Sequence, residues 1–389
     1  LTAQKFGAGD MAGMRRTVAG AGILSLAVGI FLTISFLLFM KPLLVLMHTP
    51  EDIFADAYAY IMIISGGILA QMLYNLLSSI LRAIGNSKIP LYFLILSALL
   101  NIVLDLVFMV VFGLGAAGAA IATVIAQGVS GVLCLVYIAA KIPVLHLKRE
   151  DFQVGSTILL SQLHVGIPMA LQYSITAIGS VLLQTAINGF GSLIVASVTA
   201  ANKVQSFVHL PFSTLGVTLS TWCGQNMGAR DYDRVRRGFW DGMAVALVYS
   251  VLMGVVMYFF GEYVSLIFID KDETRLVELL SYVREFLRKN CILYIPLGIL
   301  TVCRFSLQGL EHGFTAMFAG VFLMVARSVM ALWAVKFFGF DAVCYANPAA
   351  WIAACILLVP ACLVVMPKVR RRLKAEKAQA LSTGGNNGQ

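Results

Sequence analysis

From Val18 to Met40 the chain runs without a single charged side chain. A helix of about 20 apolar residues crosses the hydrocarbon core of a bilayer. Backbone groups in lipid must find their hydrogen bonds within the protein, so a run of this kind spans as a helix. Nine more such runs follow, giving ten spans near 18–40, 58–81, 90–112, 117–139, 158–183, 196–222, 238–260, 290–309, 314–335 and 346–366. The runs are apolar all round and carry Gly and Ser inside them, as close helix packing in lipid allows. A transmembrane β-barrel would instead alternate polar and apolar residues in segments of about ten. Composition agrees: 60% of residues are hydrophobic and 12% charged, against about 45–50% and about 25% in soluble domains. The fold class is therefore an all-α, polytopic integral membrane bundle.

Loop charge sets the expected orientation. Of the 28 Lys and Arg residues, 18 fall in the head, every second loop and the tail, while 7 fall in the alternate loops. Lys203, Arg304 and Arg327 lie within spans. The 18-residue side is expected to be cytoplasmic, with both chain ends on it. The net charge of +9 comes from this asymmetry. Nucleic acid is not an expected partner, because the basic residues are scattered over short loops without interleaved aromatics.

The chain repeats itself. "QKFGAGDMAGMRR" begins at Gln4 and "QNMGARDYDRVRR" at Gln225, an offset of 221 residues. "LRAIG" at Leu81 pairs with "LQGLE" at Leu307, and "FGLGAAG" at Phe112 with "FGFDAVC" at Phe338, both at an offset of 226. Three matches in the same order imply two homologous halves, a common device of transporters. Both copies of the first motif are expected on the same side, so the halves run parallel. Two spans lie between about Ile158 and Gln225, whereas no span precedes Gln4 in this sequence. We therefore expect two further helices, or roughly 60–65 residues, before this sequence in an original of two six-helix lobes. The expected organisation is an N-lobe of four remaining helices over 1–140, an inter-lobe linker over 141–157, a six-helix C-lobe over 158–366 and a basic, disordered cytoplasmic tail over 367–389.

The opening motif reads as a helix-joining turn. Its glycines suit left-handed cap geometry, its Asp can cap the next helix, and its Arg pair can hold the loop at anionic headgroups.

Of 19 acidic residues, Asp105 alone lies well inside a span. A carboxylate there is costly and marks an ion pathway or proton relay. Asn101 stands four residues earlier and shares its helical face. An amide oxygen beside a carboxylate suits Na⁺, a hard cation like Ca²⁺. Equally, Asn101 could hydrogen-bond a protonated Asp105 whose pKa burial would raise. The spans of the second half carry no central carboxylate. Lys203 and Arg304 sit there instead, near Gln172, Gln184, Asn202, Gln205 and His209. That group either lines a polar cavity or, for the two cations, reaches toward an interface.

The stretches "QKFGAGD", "LRAIGNSKIPLYFLILSALLNIVLDLVF", "GLGAAGAAIATVIAQ", "GIPMALQYS" and "CGQNMGARDYDRVRRG" resemble the multidrug and toxic compound extrusion (MATE) transporters, in their bacterial branches. The resemblance covers the chain up to the tail from Lys368. It implies two six-helix lobes around a central cavity and the outward movement of drug-like molecules across the bacterial inner membrane in exchange for Na⁺ or H⁺. It also implies that Asn101, Asp105 and Thr123 match positions of an N-lobe cation pocket, with Tyr60 and Asn75 on the preceding helix. A second carboxylate of that pocket belongs to the first helix, outside this sequence. Gln172, Gln184, Asn202 and Gln205 are candidates for a substrate cavity.

The expected partners are a drug-like small molecule and the bilayer, and the expected state is a monomer. No cofactor is expected, and no metal beyond a transported Na⁺. The seven cysteines form no Cys-x-x-Cys pair and read as small apolar residues. No Gly-x-x-x-x-Gly-Lys-Ser/Thr loop occurs, which removes ATP-driven transport within this chain. An intramembrane enzyme would need clustered His, Asp, Glu or Ser nucleophile motifs in the spans, and these are absent. The alternative function is a lipid-linked oligosaccharide flippase of related architecture.

Overall fold

A computed structural model describes residues 1–46, 51–269 and 275–384. Among these the chain is helical from end to end, and its contacts divide it into two units, Leu1–Gln162 and Leu163–Gln389. The first unit comprises α1 (Thr2–Gly7), α2 (Met11–Leu46), α3 (Glu51–Gly66), α4 (Ile68–Ala83), α5 (Lys88–Asp105) and α6 (Gly115–Lys141). Helix α7 (Ser156–Asn188) begins in the first unit and ends in the second. The second continues with α8 (Ser192–Gly228), α9 (Tyr232–Ser265), α10 (Leu276–Cys291), α11 (Tyr294–Gly309), α12 (Gly313–Val329), α13 (Val335–Phe338) and α14 (Phe340–Gly384).

Seven described helical segments are long and apolar enough to cross a bilayer, and two bent pairs bring the number to nine. The tenth expected span, α8, is 37 residues long but more polar. Its polarity is tolerated because α9, α10 and α11 pack around it and bury residues such as Ser197, Gln205 and Asn226. The protein is a multi-pass membrane protein whose outer surface presents rows of exposed Leu, Ile, Val and Phe, as on α5 and α9.

In the first unit α6 is the hub, packed against α3, α4 and α5. Its "GAAGAAIATVIAQ" face makes this possible: Ala120, Ala122 and Ala126 are buried, and small side chains let backbones approach. At Gly131 an added Cβ would meet Leu73 Cδ2 at 3.1 Å and the Tyr74 amide nitrogen at 3.2 Å. In the second unit α11, the repeat counterpart of α4, packs on α8, α9 and α14.

The repeat reappears as geometry. Helices α3 and α4 bend by 46° at Gly67, and α10 and α11 by 51° near Ile292 and Leu293. The two breaks keep the 226-residue offset. Helix α5 ends in a π-helical turn over Leu106–Val111, and α12 in another over Met330–Ala334. Residues with positive φ also recur in register: Gly85 with Glu311, Gly113 with Gly339, and Gly9 with Arg230.

The opening motif folds as a turn in both copies. Asp10 Oδ1 accepts the Gly13 N–H at 2.7 Å, and Asp231 Oδ1 accepts the Arg234 N–H at 3.1 Å. Each carboxylate thus caps the helix that follows. In the second copy the left-handed position is taken by Arg230 rather than a glycine. Arg15, expected at headgroups, instead pairs with buried Asp151 at 3.2 Å.

Two expected boundaries shift. The charged stretch before residue 290 is not a loop, because α10 starts at Leu276 and buries Leu279, Val283, Phe286 and Leu287 on one face. The tail is helical through Gly384, while 385–389 lie outside the described residues. Its helix is built from good helix formers, an Arg372–Glu376 pair one turn apart at 2.8 Å, and the buried Val369 and Leu373.

Candidate functional site

Asp105 is the last residue of α5, directly before the π-helical turn. Such turns are rare and concentrate at functional sites. Asp105 is half-buried, and its Oδ1 is fully buried with no hydrogen-bond partner among the described residues. A buried carboxylate oxygen without a donor is strongly disfavoured unless a proton or a cation satisfies it. One helical turn earlier, the Asn101 amide Nδ2 lies 3.5 Å from Thr123 Oγ1 across the α5–α6 contact. Thr123 Oγ1 donates to the Ala119 carbonyl at 2.9 Å, which leaves the hydroxyl oxygen facing Asn101.

Three of the five residues read from sequence thus share one region: Asp105 and Asn101 on α5, and Thr123 on α6. Asn75, on α4, is exposed and donates to the Gln71 carbonyl at 3.0 Å. It lines a cavity of about 390 Å³ with Gln71, Tyr74, Ser78, Arg82 and Gln127. Tyr60, on α3, is 39% exposed. The grouped residues offer a carboxylate, an amide and a hydroxyl, all oxygen donors. That set suits a hard monovalent cation or a proton and offers no soft ligand.

The second unit contains a polar cavity of about 410 Å³ between α7, α8, α12 and α14. It gathers Gln184, Asn202 and Gln205, three of the four sequence candidates, with His209, Arg327 and Asn347. Gln172 stands apart from its lining. It is 2% exposed and its Oε1 accepts the Gln308 Nε2–H at 3.0 Å. Lys203 Nζ lies 5.8 Å from the centre of the Phe268 ring, and the Arg304 guanidinium stacks 4.8 Å over Phe305.

Sequence reading placed Arg327 within a span and gave it no role. In the fold its guanidinium donates to Asn347 Oδ1 at 3.0 Å, Ser180 Oγ at 3.0 Å and the Thr176 carbonyl at 3.3 Å. The signal was present in the repeat, because Arg327 follows Asn101 by the same 226 residues.

Comparison with known proteins gives one consistent result. The MatE family model matches residues 1–107 and 168–333. The probable multidrug resistance protein YpnP of Bacillus subtilis is 26% identical over 87% of this chain and 72% of its own length. YoeA of the same organism, also a probable multidrug resistance protein, is 26% identical over 70% of this chain and 61% of its own length. Among solved structures, a MATE protein in its bent conformation superposes with a TM-score of 0.84 at 20% identity, over 98% of this chain and 83% of that one. An outward-facing multidrug resistance MATE transporter gives 0.86 at 21% identity, over 96% and 82%.

Proposed function

The chain belongs to the MatE family, and we propose that it works as a secondary antiporter, exporting drug-like molecules across the bacterial cytoplasmic membrane in exchange for Na⁺ or H⁺. The observation that carries this reading is the buried, unpartnered Oδ1 of Asp105 beside Asn101 and Thr123. An ion biases a transporter only through different affinities for its inward- and outward-open states. A carboxylate one helical turn from an amide that meets a hydroxyl on α6 can gain or lose ligands when α5 moves against α6. The cation would then favour one state and the drug the other.

Bacterial relatives named as probable multidrug resistance proteins support the drug-export part. The loop charge supports a cytoplasmic position for both chain ends, and a monomer is sufficient because the cation residues lie within one unit. Tyr60 and Asn75 would join the pocket through movement of α3 and α4 about their bend at Gly67.

Efflux of a fluorescent cationic dye from cells expressing the gene product that carries this chain tests the reading. Asp105→Asn preserves size and hydrogen bonding but removes the charge, and should abolish efflux at equal protein level. Asn101→Ala and Thr123→Ala should each weaken it several-fold, since each removes one oxygen ligand. Wild-type efflux from Asp105→Asn cells would place coupling elsewhere.

A further inference from the structure

The internal repeat sets two equivalent helix junctions side by side for comparison. In the first half, α5 carries Asn101 and Asp105, and α6 supplies Thr123. Adding the 226-residue offset brings Asn101 to Arg327 and Asp105 to Ala331. Ala331 is a buried residue of the equivalent π-helical turn. The cross-helix bond is kept in kind: Asn101 reaches Thr123 on α6, and Arg327 reaches Asn347 on α14. The charge is inverted. One half presents a carboxylate at this junction and the other a guanidinium.

Among the described residues nothing neutralises that guanidinium. No ion pair joins Arg327, Arg304 or Lys203 to a carboxylate among the described residues. Arg327 is nevertheless fixed in place, with Nε held by Asn347 and Nη1 by Ser180 and Thr176. Its Nη2 has no hydrogen bond among the described residues, and the residue forms part of the wall of the 410 Å³ cavity. The rest of that wall brings amides, hydroxyls, His209 and the apolar Leu183, Ile187 and Leu210, with no Asp or Glu among the described residues. An unpaired cation in a membrane interior is costly and marks a functional site by default.

We propose that this cavity is a binding site for an organic carboxylate, with Arg327 as the residue that holds the anionic group. The proposal rests on the drug-export reading and adds to its substrates molecules that pair a carboxylate with an apolar or aromatic body. An orientated guanidinium whose Nη2 is left to donate can give a carboxylate charge-assisted N–H bonds. A phospholipid headgroup is the other source of an anion. Depth argues against it: Arg327 stands 14 residues from Gly313 and 11 from Phe338, so it lies near the middle of its span, roughly 20 Å from one end.

The test compares rhodamine B, whose carboxylate is free, with its ethyl ester. Binding of each to the purified gene product in nanodiscs is read by fluorescence anisotropy. The wild type should bind the acid about tenfold or more tightly than the ester. Arg327→Met should bring that ratio to within about twofold, and Arg327→Lys, which keeps the charge but loses the fork, should leave an intermediate ratio. Gln184→Glu, which adds a carboxylate to the same cavity lining, should reverse the preference. A thermal unfolding transition establishes that each variant is folded.

Equal wild-type affinity for acid and ester would overturn this proposal and leave the drug-export reading standing. Retention of the acid preference in both Arg327→Met and Gln184→Glu would overturn it too, by placing the anion elsewhere. Loss of the preference in phosphatidylglycerol nanodiscs, but not in phosphatidylcholine ones, would assign the site to lipid phosphate and overturn it. Binding of neither dye would overturn both readings together.

Discussion

Gly85 and Glu311 occupy the same left-handed turn, with φ of 88° and 67°, at equivalent places in the two halves. Left-handed geometry costs an L-residue with a side chain roughly 1–2 kcal/mol, and glycine is exempt. A Cβ added at Gly85 would meet nothing within 4 Å, so a substitution there is penalised by the backbone alone. Gly85→Ala should destabilise by about 1 kcal/mol. Glu311→Gly should be neutral or stabilising by up to about 1 kcal/mol, because the Arg372 contact it loses is exposed and long, at 3.9 Å. Thermal unfolding in detergent, followed by intrinsic fluorescence, measures both.

The two capping carboxylates differ in setting, and Asp10 gives a pH signature. The Gly13 N–H, then the Lys5 ammonium at 3.0 Å, hold the Asp10 carboxyl below its ordinary value of 3.8. A lowered folded-state pKa contributes stability that is fully present above the unfolded value and fades as pH falls through the folded one. The stability difference between wild type and Asp10→Ala should therefore be flat from pH 8 to pH 5, at about 1 kcal/mol. Below pH 4 it should shrink. Unfolding transitions across this range would show it, and a difference that grows on acidification would contradict the assignment.

Gln172 and Gln308 form a buried amide pair between α7 and α11. Removing one amide leaves the other partner unsatisfied, which costs about 1–3 kcal/mol. Gln172→Leu and Gln308→Leu should each destabilise on that scale. The double variant should recover part of the loss, with a coupling energy of about 1 kcal/mol in the mutant cycle. Additive losses would mean that the 3.0 Å bond contributes little.

Spans were legible in the sequence because the bilayer makes one demand, a long apolar run, and few residues disguise it. The repeat was legible from its matched stretches, and its turns recur in register even where Arg230 and Glu311 replace Gly9 and Gly85. The first bend was not, since Gly67 is one glycine in a continuous apolar stretch, whereas the second has a breaker in Pro296, which cannot donate to the Ile292 carbonyl. What sets the first bend is packing: an added Cβ on Gly67 would lie 2.2 Å from Val124 Cγ2. Helix α10 was hidden by Arg284, Arg288 and Lys289, which lie on a helix whose other face is buried.

At the site, Asp105 was legible because a lone intramembrane carboxylate stands out against apolar neighbours. Asn101 followed from helical spacing. Arg327 was not assigned, because a cation in a span invites the reading that it reaches toward an interface, and only its partners on α7 and α14 show it held in place.

Exchange itself is the most direct measurement of the account. Proteoliposomes holding the purified gene product would be loaded with dye, with ²²Na⁺ and a pH-sensitive fluorophore reporting the two cations. Outward dye movement should drive inward movement of one of them, and Asp105→Asn should abolish both fluxes together. Dye movement with neither cation moving, or unchanged coupled exchange in Asp105→Asn, would contradict it.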